Sequence, residues 1–156
     1  MIIKSSTMPL ILIIGVISIF LPGCLELNPL VSTETDALPD TATIRYGNVL
    51  YYPEEKLFIC FADVLSDGRC PTNVDCCWEG VAEIELGLRI KSEPEITVPI
   101  QIFGYVDIEN SERHVFIDTL GYRIFLMGLY SYPSEPGEYD YTKYVATISI
   151  LKIIAG

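Results

Sequence analysis

The segment Val81–Lys91, VAEIELGLRIK, alternates apolar and charged residues with a period of two. Ala82, Ile84, Leu86, Leu88 and Ile90 fall on one side, and Glu83, Glu85, Arg89 and Lys91 on the other. A helix would scatter this set around its circumference, whereas a strand segregates it into one core face and one solvent face. Further strand candidates are Asn48–Tyr52, Lys56–Val64, Glu95–Gly104, Arg113–Leu120, Tyr122–Tyr130 and Tyr144–Ile154. In the segment EITVPIQIFG, Val98, Ile100 and Ile102 point inward. Pro99 has no N–H to give a ladder, which places this strand at an edge or at a bulge. Turn signals such as Pro53-Glu54-Glu55 and Gly121 separate the candidates, and no segment carries a convincing helical period. The pattern predicts an all-β domain, an antiparallel sandwich of immunoglobulin-like type with about seven strands; a small β-barrel is the alternative.

The N-terminus is not part of that pattern. Lys4 precedes an apolar run from Met8 to Leu21, too short to span a bilayer comfortably but suited to a signal-peptide core. The run ends in Leu21-Pro22-Gly23-Cys24, which resembles the lipobox of bacterial-type lipoproteins. The resemblance implies cleavage before Cys24 and a diacylglyceryl group on its sulfur; Pro22 departs from the usual small or aliphatic residue. Residues 25–43, rich in Pro, Ser, Thr and acids, read as a flexible tether. The expected organisation is a signal peptide over 1–23, a lipid-anchored tether over 24–43 and a sandwich over 44–156. The localisation that follows is extracytoplasmic, in the cell envelope, held to a membrane through the N-terminal lipid.

Charge excludes one class of partner. Ten basic residues against 21 acids leave a net charge of −11, and no Lys/Arg cluster interrupts it. Such a chain is repelled by phosphate backbones, so nucleic acid is not an expected partner.

The chain has five cysteines. With Cys24 lipidated, Cys60, Cys70, Cys76 and Cys77 remain, an even number in an oxidising compartment. The adjacent pair Cys76 and Cys77 is a poor bridge because the intervening peptide is strained. Two pairings are left: Cys70–Cys76 with Cys60–Cys77, or Cys70–Cys77 with Cys60–Cys76. The first is preferred, because Cys70 and Cys76 bracket the turn-forming run Pro71-Thr72-Asn73. A zinc site is the rival, but the spacing lacks paired Cys-x2-Cys knuckles.

Phe61, Val64, Asp67-Gly68-Arg69-Cys70-Pro71, Val74, Cys76, Trp78, Gly80 and Ala82 together resemble a motif of small bacterial and archaeal secreted lipoproteins, F-x-x-V-x-x-D-S-R-C-P-x-x-V-x-C-x-W-x-G-x-A. That family has no assigned activity. The resemblance implies a Cys70–Cys76 pair and a β-rich domain. Gly68 replaces the serine of the motif, and Cys77 replaces an aliphatic residue.

No catalytic apparatus is expected. The one histidine, His114, falls in a candidate strand, and neither a Gly-x-Ser-x-Gly elbow nor a Gly-rich phosphate loop is present. Asp63, Asp67, Asp75 and Glu79 lack the spacing of a calcium loop. Neither a metal nor another cofactor is expected. The sequence points to a non-enzymatic binding or structural module, with a metal-binding (zinc or calcium) or hydrolytic envelope protein as the alternative. Its candidate contact surface is Asp67, Arg69, Asp75 and Trp78 in the cysteine loop, with Tyr132, Tyr139 and Tyr141 in the later loop, facing an unidentified protein or glycan. The blander accounts have Arg69 pairing with Asp67 or Asp75, and Trp78 packing on the disulfide.

Overall fold

The computed structural model describes residues 32–34, 38, 40–106, 109, 111–135 and 139–153. The expected signal peptide, the Cys24 lipidation site and most of the tether lie outside the described residues. Among the described residues nine strands are present: β1 (Ser32–Glu34), β2 (Asp40–Arg45), β3 (Val49–Tyr52), β4 (Leu57–Asp67), β5 (Val81–Ile90), β6 (Ile96–Phe103), β7 (Val115–Thr119), β8 (Tyr122–Tyr130) and β9 (Val145–Lys152). They form two open sheets, ordered β1-β3-β4-β5-β6 and β2-β9-β8-β7, and so a sandwich rather than a closed barrel. Each sheet is chiefly a meander of consecutive antiparallel strands; β1 alone pairs in parallel, with β3.

The seven expected strands all form. Two more precede them. β2 starts at Asp40, so residues 40–43 belong to the sandwich and not to the tether, and β1 lies within the same stretch. Ala42 and Ile44 of β2 turn toward the core while Thr41 and Thr43 are exposed, an alternation of only a few residues. β6 is an edge strand, and Pro99 sits in it opposite Glu85 of β5.

The inner faces meet in one core. β4 contributes Leu57, Ile59, Phe61 and Val64; β5 contributes Ala82, Ile84, Leu86 and Leu88; the opposing sheet supplies Ile44, Ile124, Leu126, Ala146, Ile148 and Ile150. Each fully buried Leu, Ile or Phe contributes about 1.5–3 kcal/mol.

β4 departs from simple alternation twice. Phe61 pairs with Leu86 but Asp63 with Glu85, and Val64 pairs with Ile84 but Ser66 with Glu83, leaving Ala62 and Leu65 as extra residues. A bulge places two residues opposite one and re-aims those that follow. The inward positions therefore move from Ile59 and Phe61 to Val64 and then to Asp67, which lies buried opposite Ala82. A carboxylate at the end of β4 is thereby turned into the protein.

Leu86→Ala is expected to cost about 2–5 kcal/mol, lowering the melting temperature by about 10 °C or more in a domain of this size. Glu85→Thr, on the outer face of the same strand, should stay within about 0.5 kcal/mol. Chemical denaturation of the two variants side by side checks the assigned faces.

Candidate functional site

The sequence-predicted residues converge at one end of the sandwich. The β4–β5 ladder runs on past the strands: Gly68 N–H donates to the Val81 carbonyl at 2.8 Å, and Cys70 N–H to the Glu79 carbonyl at 2.9 Å. Between them the Cys70–Cys76 disulfide closes the loop, with the two Cα atoms 6.0 Å apart and Val74 N–H donating to the Pro71 carbonyl. Gly80 is required here. Its φ is +75°, and a Cβ at this position would run into the Gly68 carbonyl oxygen.

Thr72 N–H donates to the Pro133 carbonyl at 3.1 Å, docking the cystine loop on the loop after β8. Deeper in, a buried ion pair makes the same connection. The Arg69 side chain donates to both Asp67 carboxylate oxygens, from Nε at 2.9 Å and from Nη2 at 2.6 Å. Its Nη1 donates to the Leu129 carbonyl at 2.7 Å, and Nη2 also to the Ser131 carbonyl at 3.0 Å. Tyr144 O–H donates to Asp67 Oδ2 at 2.8 Å, and the Tyr132 ring covers the guanidinium at 4.6 Å. Arg69 is 3 % exposed. Such a charge survives burial only when it is paired and its donors are satisfied.

The pair therefore joins both sheets, because Asp67 ends β4 while Leu129 and Tyr144 flank the turn from β8 to β9. Burial first, and then the Asp67 carboxylate, push the Tyr144 hydroxyl above the usual tyrosine range. Burial likewise raises Tyr132.

The predicted contact residues divide accordingly. Asp67 and Arg69 are interior and structural, in line with the blander account of Arg69, and present nothing to solvent. Asp75, Trp78, Tyr139 and Tyr141 are exposed, and Tyr132 is half-buried. Trp78 is 65 % exposed, so it stands out from the loop and is not enclosed against the disulfide. Two contacts were not foreseen. Tyr105 is 61 % exposed and meets the Tyr132 ring edge-on at 6.0 Å. Glu79 pairs with Arg113 across the surface.

A cavity of about 200 Å³ opens beside this network, lined by Ser131, Tyr132, Ser134, Asp140, Lys143 and Tyr144 among others. Asp140 Oδ1 accepts from the N–H and hydroxyl of Thr142, and Lys143 Nζ lies 3.0 Å from Asp140 Oδ2. The hydrogen bonds from Thr142, followed by Lys143, hold the Asp140 carboxyl below the usual range. The Asp140-Tyr141-Thr142 spacing is the one sequence signal that foreshadows this turn.

The second expected disulfide does not form. Cys77 is a free, exposed thiol. Cys60 lies near the middle of β4, and strand rise separates it from Asp67 by roughly 20 Å, while bridged Cα atoms lie within about 7 Å. The cystine loop begins beyond Asp67, so neither Cys77 nor Cys76 is within reach. Cys60 is nonetheless disulfide-bonded, to none of the other described cysteines. Among the described residues no group of His, Cys, Asp and Glu is placed to hold a metal ion.

In comparison with known proteins, the chain matches no family model, no curated protein and no solved structure.

Arg69→Met should lose about 3–5 kcal/mol, since it strands the Asp67 carboxylate. The double variant Asp67→Asn with Arg69→Met should lose less than the single one, which urea titration of both will show. At high pH the tyrosines dominate. Burial and then the Glu55 hydrogen bond push Tyr122, at the far end of the sandwich, up to about 12. Tyr122 and Tyr144 keep their protons in the folded state at pH values where unfolded tyrosine, near about 10, loses them. The folded state then binds more protons, so stability falls as pH rises above about 10. Tyr144→Phe should make that decline shallower, measured as unfolding free energy against pH.

Proposed function

We propose that this chain is a lipid-anchored extracytoplasmic envelope protein acting as a non-enzymatic binding module. The observation that carries the reading is the loop end of the sandwich. There a buried ion pair and a disulfide hold two loops in place while Trp78, Tyr139 and Tyr141 stay exposed. Rigid aromatic side chains on a pre-organised frame offer contact area at little entropic cost. Three ion pairs stand at this end, Asp67 with Arg69, Glu79 with Arg113 and Asp140 with Lys143. The chemistry on offer is contact rather than proton transfer. The Cys70–Cys76 bridge agrees with an oxidising compartment, and the Leu21–Cys24 stretch supplies the anchor.

Cys60 favours a second reading of the N-terminus. Its bond goes to none of the other described cysteines, and one cysteine of the sequence, Cys24, lies outside them. A thioether to lipid and a disulfide cannot share one sulfur. In the second reading Cys24 is a cystine half, and the protein is still extracytoplasmic.

Cys24→Ala separates the two. Under the lipid reading, the variant loses the diacylglyceryl mass and leaves the detergent phase on partitioning. Under the second, partitioning is unchanged and alkylation finds a new thiol at Cys60 beside that of Cys77.

A further inference from the structure

We propose that the cavity between the end of β8 and the Tyr141–Lys143 turn is a subsite for a single neutral, hydroxyl-rich ring, a sugar residue of an envelope glycan. The proposal rests on the binding-module reading above and names the ligand class for it.

Size sets the first limit. About 200 Å³ is below the roughly 300–1,000 Å³ of sites for drug-sized ligands, so one ring fits and an extended chain does not. Charge sets the second. Among the described residues lining the cavity, the charged side chains are Asp140 and Lys143, which pair at 3.0 Å. An anion accepting from Lys143 meets the Asp140 carboxylate beside it, in a chain that already carries a net charge of −11. A cation at Asp140 meets the Lys143 ammonium in turn. A neutral ligand bearing both donors and acceptors bridges the pair without breaking it, giving to the carboxylate and accepting from the ammonium. The hydroxyls of Ser131 and Ser134 take no hydrogen bond from the described residues, and both line the cavity.

The frame around them is fixed before any ligand arrives. Arg69 holds the Ser131 carbonyl, and Asp67 accepts from the Tyr144 hydroxyl. Tyr132 is pinned by the Arg69 guanidinium and by the edge of Tyr105. The lining is mostly polar side chains converging from Ser131, Ser134, Asp140 and Lys143, which suits a ligand that carries many hydroxyls.

The full chain in detergent micelles is titrated with glucose and with N-acetylglucosamine while amide shifts are followed by NMR. The expected result is saturable shifts at Ser131, Ser134 and Tyr144 with at least one sugar, and none with inorganic phosphate or acetate. Ser134→Trp, which fills the cavity from its exposed rim, should weaken binding at least tenfold. Ser92→Trp, in the β5–β6 hairpin, should leave it unchanged. A purified cell-wall polysaccharide that binds where the free sugars do not supports the same site when Ser134→Trp removes the binding. The proposal is overturned if no sugar or polysaccharide saturates, if Ser134→Trp binds like the parent, or if phosphate competes at these amides. Should it fail while the chain keeps its lipid mass and envelope material still shields Trp78 from acrylamide quenching, the broader reading stands without this subsite.

Discussion

The contact between the Asp67 carboxylate and the Arg69 guanidinium organises the loop end of this sandwich. Two charges inside a protein are not a cheap source of stability, because desolvation offsets much of their attraction. Their value here is geometric. The guanidinium presents a planar fork of donors, and four of its bonds reach Asp67, Leu129 and Ser131. The Leu129 and Ser131 carbonyls thereby gain charged donors. The outcome is one position of the loop after β8 relative to the end of β4, with Tyr144 closing the network from the far side.

Two β-bulges make this arrangement possible. Strict alternation in β4 would carry Phe61, Asp63 and Leu65 inward together. The extra residues Ala62 and Leu65 shift the pleat instead, so that Val64 and then Asp67 face in while Leu65 stays exposed. The core and the clamp thus lie along one continuous strand. The disulfide works on the other side of Arg69: it constrains the short loop whose first cysteine follows the arginine directly, so covalent and ionic restraints act on consecutive residues.

Much of the architecture was readable before any coordinates. Period-two runs marked seven strands, Pro99 marked an edge, and the spacing of Cys70 and Cys76 around a turn marked their bridge. Where reading failed, the cause was distance in sequence or local cancellation of the pattern. β2 is a short run in a stretch whose Ser, Thr and Pro content is that of a linker. The Cys60–Cys77 pairing satisfied cysteine arithmetic but ignored the length of the strand that separates them. Each of these residues was open to two readings: Trp78, which could have packed on the disulfide, is exposed, and Arg69 takes the reading in which it pairs with Asp67. The Leu129 and Ser131 carbonyls that Arg69 also reaches were not legible, because they lie some sixty residues away.

What the sequence by itself determined is the class of fold and the Cys70–Cys76 bridge, because alternation and turn residues act over a few neighbours and a short cystine closes a local loop. What only the tertiary structure decided is which residues meet at the loop end. That depends on the offset introduced by two bulges and on contacts between β4, β8 and the turn before β9. The residues lining the cavity beside Tyr132 all lie between β8 and β9, but Arg69 and Asp67 at the end of β4 hold the two flanks of that stretch through the Ser131 carbonyl and the Tyr144 hydroxyl.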